Sequence, residues 1–320
     1  MSRMASVEEH LRRWSEAGVI DAVQAERIRA FEAIPSNETA PAPEARLGVV
    51  EAILYLGLAI AAAGAVFLGA ENWADLQPWA RIAALAVPAV LALVAGAALR
   101  TFDDPGYRRA GNIAWLSALA LAAGATGVIG GETNLPNDRT LLLAGVVATL
   151  IAAGLWAISS SHPQILGLGG ALFLLAEGVG NAPDDYSAQV AGMVLLLLGV
   201  MGIALAESGM LSPRSSARAI FGFFAIAGPY HAGIDGSVIW AELLVFVVGA
   251  ALIALAVRRN TFEYMVIAVA GMFVGLITFV FEHLSDSIGV ALSLLLSGAA
   301  IVAGVLLLAT LRKTTRKARA

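Results

Sequence analysis

Three ionisable side chains interrupt stretches that are otherwise apolar: Glu177, His231 and Glu242. A charged group at the centre of a bilayer is unfavourable by roughly 2.5–3.5 kcal/mol on insertion scales, so depth within the run decides what such a group signifies. Counting back at the helical rise, Glu177 and Glu242 lie only about 5–6 Å from the nearer end of their apolar segments, a depth from which a carboxylate reaches the interface. Two readings stand: they are interfacial acids capped by neighbouring helices, or, with the imidazole of His231, which can change charge near neutral pH, they face one polar cavity and handle a proton or a cation. Glu51 lies near the opposite end of its own segment and is expected to pair with Arg46 or with the N-terminal helices.

Most other chemistry is excluded by residue type. There is no Cys, hence no thiolate nucleophile, redox pair or Cys-ligated metal. The four histidines, His10, His162, His231 and His283, include no pair at helical spacing, so no single segment builds a di-His metal face. The only lysines are Lys313 and Lys317, which rules out a phosphate loop ending in Lys. No Gly-x-Ser-x-Gly elbow occurs, and Gly167, Gly169 and Gly170 lack the third spacing of a dinucleotide fingerprint. No catalytic set, cofactor or metal is expected. A net charge of −4 argues against nucleic acid.

The elements that position these residues follow from composition. Of 320 residues, 59% are hydrophobic and 14% charged, and the mean hydropathy is +0.80. Soluble domains average about 45–50% apolar and about 25% charged, so this chain belongs in lipid. Apolar runs of about twenty residues, each long enough to cross roughly 30 Å as a helix, recur from Gly48 onward. Ten spans are expected: Gly48 to Ala70, Trp79 to Leu99, Gly111 to Gly130, Thr140 to Ile158, Ile165 to Gly180, Gln189 to Ala206, Arg218 to Ile234, Val238 to Val257, Glu263 to Phe281 and Ser287 to Leu311. The alternation of a barrel strand is absent, and the expected fold class is an all-α polytopic transmembrane bundle.

Basic residues set the expected orientation. Arg46, Arg100, Arg108, Arg109, Arg214, Arg218, Arg258 and Arg259, with five more in the tail, fall on one side; only Arg81 and Arg139 fall on the other. Both termini are therefore expected in the cytoplasm of a bacterial cell, with the bundle in its inner membrane. Trp73, Trp79, Trp115, Trp156 and Trp240 lie within a few residues of expected span ends, where an amphipathic ring is most stable.

Residues 1–34 read as a cytoplasmic helical hairpin, 35–47 as a Pro- and Ala-rich linker, 48–311 as the membrane domain and 312–320 as a basic tail. Ser6 and Glu9 have capping-box spacing ahead of a helix from Val7 to Ala17, and Asp21 with Gln24 repeats the device for a second. Too short to bury a core of its own, the hairpin is expected to dock on a soluble partner or on the bundle through Trp14, Ile28 and Phe31.

Glu71, Glu132, Glu177 and Glu282 close odd-numbered spans on the outer side, which implies a hairpin repeat. Asp75, Asp138, Asp184, Asp185, Asp235 and Asp286 add to that face. It reads either as an acidic vestibule that concentrates cations or as a set of solvated helix stops. Pro88 and Pro229 each free a backbone carbonyl within a span, and Gly271 with Gly275 forms a small-xxx-small pair suited to close helix packing.

Two stretches resemble a known family: Gly18-Val-Ile-Asp-x-x-Gln-Ala25, and the end of the first span, Gly69-Ala-Glu-Asn-Trp-Ala-Asp-Leu76 with its Asn72-Trp73 pair. Together they are similar to the bacterial membrane-protein family known as domain of unknown function 2157. The resemblance runs to Pro163; within it, Gly131-Glu-Thr-Asn134 stands where the family carries a Gly-Gln-x-Tyr type element. It implies a soluble helical element followed by many spans, and no assigned activity. Two function classes remain open. One is transport or permeation of a small solute or cation. The other is a membrane-anchored scaffold whose N-terminal helices recruit a soluble partner.

Overall fold

Each apolar run described in the computed structural model is a helix, because in lipid only internal pairing satisfies the backbone N–H and C=O groups. The structure describes residues 3–33, 73–182, 186–233 and 239–289, with isolated positions 292, 295, 298 and 299; side chains at 3–9, 29–33, 239, 281 and 283–288 are not described. The described residues contain ten α-helices, one short 3-10 turn at Trp73–Asp75, and no strand. The chain forms two units, residues 1–71 and 72–320.

The first unit carries α1 (Arg3–Glu16) and α2 (Ala22–Ala33). Ser6 lies inside α1, which starts three residues earlier, so the expected cap at Ser6 is not used. The second capping box is realised: the Gln24 N–H donates to Asp21 Oδ1 at 2.7 Å, and the Asp21 N–H donates to Gln24 Oε1 at 3.0 Å. Gly18, at φ +66°, turns the chain between the two helices. Leu11 and Ala25 are buried, whereas Trp14 is exposed and Ile28 half-buried. Phe31 lies outside the described side chains.

The second unit is a series of antiparallel helices: α3 (Pro78–Leu99), α4 (Pro105–Glu132), α5 (Asn137–Ile158), α6 (His162–Gly180), α7 (Ala188–Ser208), α8 (Arg214–Gly233), α9 (Ile239–Arg259) and α10 (Phe262–Ile288). Seven of these are long and apolar enough to cross a membrane. The exception is α8, which answers the expected seventh span. The expected first span lies outside the described residues, as does nearly all of the tenth, so the structure bears on eight of the ten. Local signals set several helix ends. Asp104 caps α4 by accepting from the Gly106 N–H, and Pro105 fills the first helical position. Ser187 caps α7, and Gly209, at φ +83°, ends it.

The helices pack as consecutive hairpins held by glycines. On α3 and α4, Gly96 and Gly111 meet backbone to backbone. On α5 and α6, Gly145 faces Leu174 and Leu175, and Gly178 faces Leu141 and Leu142. The α7–α8 pair is the most extensive: Gly192, Gly199 and Gly202 on α7 receive Gly228, Ala225 and Phe221 of α8. Gly271 and Gly275 on α10 receive Ile226 and Val245, so this pair serves packing inside the chain. Surrounded by α6, α7, α9 and α10, α8 is the most enclosed helix of its half.

Two expected boundaries shift. Trp115 is buried in the protein: α4 begins at Pro105, which places Trp115 ten residues inside the helix, 5% exposed. Its indole N–H donates to Leu93 O at 3.1 Å, and the Arg100 guanidinium lies 4.4 Å above its ring. A Trp this deep is stable because its polar handle is paired within the protein. In α10 the helix runs past Phe281 to Ile288 and stops before Gly289, at φ +78°. Glu282 and Asp286 therefore lie on the last turns of a helix rather than in a loop.

Candidate functional site

The alternating helices sort the charged side chains into two ends. At the arginine end lie Arg100, Arg108, Arg109, Arg214, Arg218, Arg258 and Arg259; at the carboxylate end lie Glu132, Asp138, Glu177, Glu242 and Glu282.

At the carboxylate end, three segments converge on one polar cluster. Glu177 comes from the last turn of α6, His231 from the last turn of α8, and Tyr186 from the connection into α7. The Tyr186 hydroxyl donates to Glu177 Oε2 at 2.9 Å and lies 2.8 Å from His231 Nε2, and that nitrogen is 3.2 Å from Glu177 Oε1. A phenol has one proton. With that proton on the Glu177 bond, the hydroxyl can only accept from His231, so Nε2 carries hydrogen. The arrangement is a closed ring of carboxylate, phenol and imidazole, in which a proton can move over short distances without crossing apolar groups. Glu177 and His231 are mostly enclosed, with side chains 18% and 24% exposed.

Glu242 sits in the first turn of α9, 8% exposed, and lines a cleft with Tyr230, Gly233, Thr278 and Glu282, between α8, α9 and α10. Tyr230 lines this cleft, and the neighbouring His231 meets Tyr186 and Glu177. Thr278 Oγ1 lies 3.5 Å from the Tyr230 hydroxyl across this cleft.

The expected acidic face is partly neutralised. Glu132 accepts from Arg81 Nη1 at 2.7 Å, while Arg81 Nε and Nη2 donate to the carbonyls of Trp73 and Ala74. One of the two arginines expected at this end is thus committed to an acid there, and Glu132 is not a free vestibule carboxylate. Glu282 is exposed. Glu71, Asn72, Asp184, Asp185 and Asp235 lie outside the described residues, and of Asp286 only the backbone is described. Among the described residues, no group of three acidic or histidine side chains could hold a metal ion.

Two clusters were not anticipated. At the arginine end Glu207, 11% exposed, accepts from Arg218 Nε at 2.8 Å and from the Tyr264 hydroxyl at 3.1 Å, with Arg259 Nε at 3.5 Å. One carboxylate thus joins α7, α8, α9 and α10. In the first half, Asn112 Oδ1 accepts from Arg100 at 2.7 Å, and buried Gln164 donates to the Asn112 carbonyl at 3.1 Å. Burial first, and then the neighbouring Arg108 charge, lower the Arg100 pKa from its ordinary value, yet a guanidinium stays protonated.

Residues 12–163 match the family described as "Predicted membrane protein (DUF2157)", the same family the Asn72-Trp73 region resembles. The match ends at Pro163, in the first turn of α6, so α7 to α10 and both polar clusters joined to α8 lie beyond it. No curated protein and no solved structure matches the chain.

Proposed function

We propose that the protein lets a small cation or proton pass through, or reside in, the α6–α10 half of the bundle, with the arginine end facing the cytoplasm of a bacterial inner membrane. The observation that carries this reading is the Glu177–Tyr186–His231 ring, a titratable cluster drawn from three separate segments of an apolar protein. Surface acids that only stop helices have no need to converge. A second polar cluster terminates the same helix: α8 carries His231 at one end and Arg218 at the other, with Phe221, Phe224 and Ile226 buried between. Passage then requires this apolar layer to part, which favours a gated route over an open pore. No bond-making chemistry is part of the proposal.

The test is reconstitution in vesicles, with proton and monovalent-cation flux compared between the wild-type chain, Glu177→Gln and Glu242→Gln. Flux that falls at least tenfold in Glu177→Gln supports the reading; absence of flux, or flux indifferent to both substitutions, overturns it.

A second reading is favoured by the first unit, where Trp14 of α1, Val19 of the turn and Val23 of α2 are all exposed. Single apolar side chains are common on surfaces, but three within ten residues suit a scaffold that recruits a soluble partner. Deleting residues 1–34 and comparing the soluble proteins retained by the membrane-bound chain tests it directly.

A further inference from the structure

The α9–α10 hairpin meets the rest of the bundle through α8, and its two ends are built differently. Along the middle of this seam the contact is apolar: Ile226 of α8 packs with Val245, Leu252, Ala256, Tyr264 and Ala268. At the carboxylate end the helices separate into the cleft lined by Tyr230, Glu242, Thr278 and Glu282. At the arginine end they are closed by Glu207. Its carboxylate holds Arg218 within its own α7–α8 hairpin and reaches across the seam to Tyr264 and Arg259.

The two joins of α8 also differ in kind. Toward α7 it is seated on glycines, backbone against backbone, an interface with no slack. Toward α9 and α10, Glu207 supplies a charged join at the arginine end, and Thr278 and Tyr230 meet at 3.5 Å at the other. A buried ionic group is a weak way to add stability, because desolvation offsets most of the attraction, and an apolar residue of similar volume would hold a static seam as well. What such a group does supply is a join that either holds completely or fails, since removing one member strands the others' charges.

We propose that α9–α10 is a gate that moves against the rigid α7–α8 pair, latched at the arginine end by Glu207 and standing ajar at the carboxylate end beside Glu242. The latch holds the seam closed toward one side of the membrane while the cleft, large enough for about one water, lies toward the other. Loss of the Glu207 contacts releases Tyr264 and Arg259 together and opens the seam from the arginine end, along Ala256. The inference rests on the permeation reading for its purpose, but its test needs no flux, so either can fail alone.

Because the chain has no native Cys, a single thiol reports accessibility cleanly. Ala256→Cys, in the seam near the end of α9, and Leu155→Cys, at a comparable depth near the end of α5, would be reacted with a water-soluble maleimide in detergent-purified full-length protein. Each would be measured alone and combined with Glu207→Gln or Tyr264→Phe. The expected result is slow labelling at both positions in the parent chain, at least a tenfold faster rate at Ala256→Cys with Glu207→Gln, a smaller rise with Tyr264→Phe, and no change at Leu155→Cys. Unchanged labelling at Ala256→Cys in both backgrounds overturns the latch. So does an equal rise at both positions, which means general loosening. If Glu207→Gln does not yield folded protein, Tyr264→Phe, which keeps the Glu207–Arg218 pair, decides alone by the same criterion.

Discussion

Tyr186 closes the carboxylate-end cluster: its hydroxyl donates to Glu177 and lies 2.8 Å from His231 Nε2. Tyr186→Phe keeps the ring and removes the proton carrier, leaving the 3.2 Å contact between Glu177 and His231. Each hydrogen bond contributes about 0.5–1.5 kcal/mol net. The substitution should therefore lower the thermal midpoint of the detergent-purified protein only slightly, while reducing any proton flux several-fold; a flux equal to wild type would remove Tyr186 from the path. Glu177 and His231 were legible in the sequence because a charge inside an apolar run stands out. Tyr186 was not, since it lies in a polar connection where a tyrosine draws no notice, and only the fold brings it back over Glu177. Glu207 was missed for a related reason: it sits one residue beyond the apolar run ending at Ala206, where a carboxylate reads as a solvated stop.

At the level of the helix, the decisive residues are those with no side chain. A Cβ at Gly199 would strike the α8 backbone at Ala225, and one at Gly202 would strike the ring of Phe221. Gly199→Val should cost about 1–3 kcal/mol by overpacking, and more if α8 is pushed off α7, read as a fall in the detergent unfolding midpoint. Gly127→Val on α4, where a Cβ meets nothing within 4 Å, should leave that midpoint near wild type. Helix existence and approximate bounds were readable for all eight membrane-unit helices, because a run of some twenty apolar residues has few alternatives in lipid. Which glycines form seams was not. Gly271 and Gly275 were recognisable from their spacing of four, whereas Gly192, Gly199 and Gly202 follow a spacing of seven and three that becomes an interface only when α8 lies on it.

For the whole molecule, orientation is the property on which every statement about access depends. Thr133→Cys at the carboxylate end and Asp103→Cys at the arginine end both place a thiol at an exposed position. In intact cells an impermeant thiol reagent should label Thr133→Cys and reach Asp103→Cys only after the membrane is permeabilised; the opposite pattern would invert the assignment. The excess of arginine at one end made this expectation possible from sequence, while the closing of Arg81 on Glu132 could not be foreseen from residues 51 positions apart. The enclosed helix α8 has one more implication, for how the chain is made. With Arg214, Arg218 and His231 it is, among the described long helices of the second unit, the one that does not meet the apolar standard for crossing alone, so a ribosome-bound insertion machine has little reason to release it into lipid by itself. Its acceptance depends on α7, synthesised just before it, waiting at the exit with a glycine-lined face, so that the two leave the machinery as a pair.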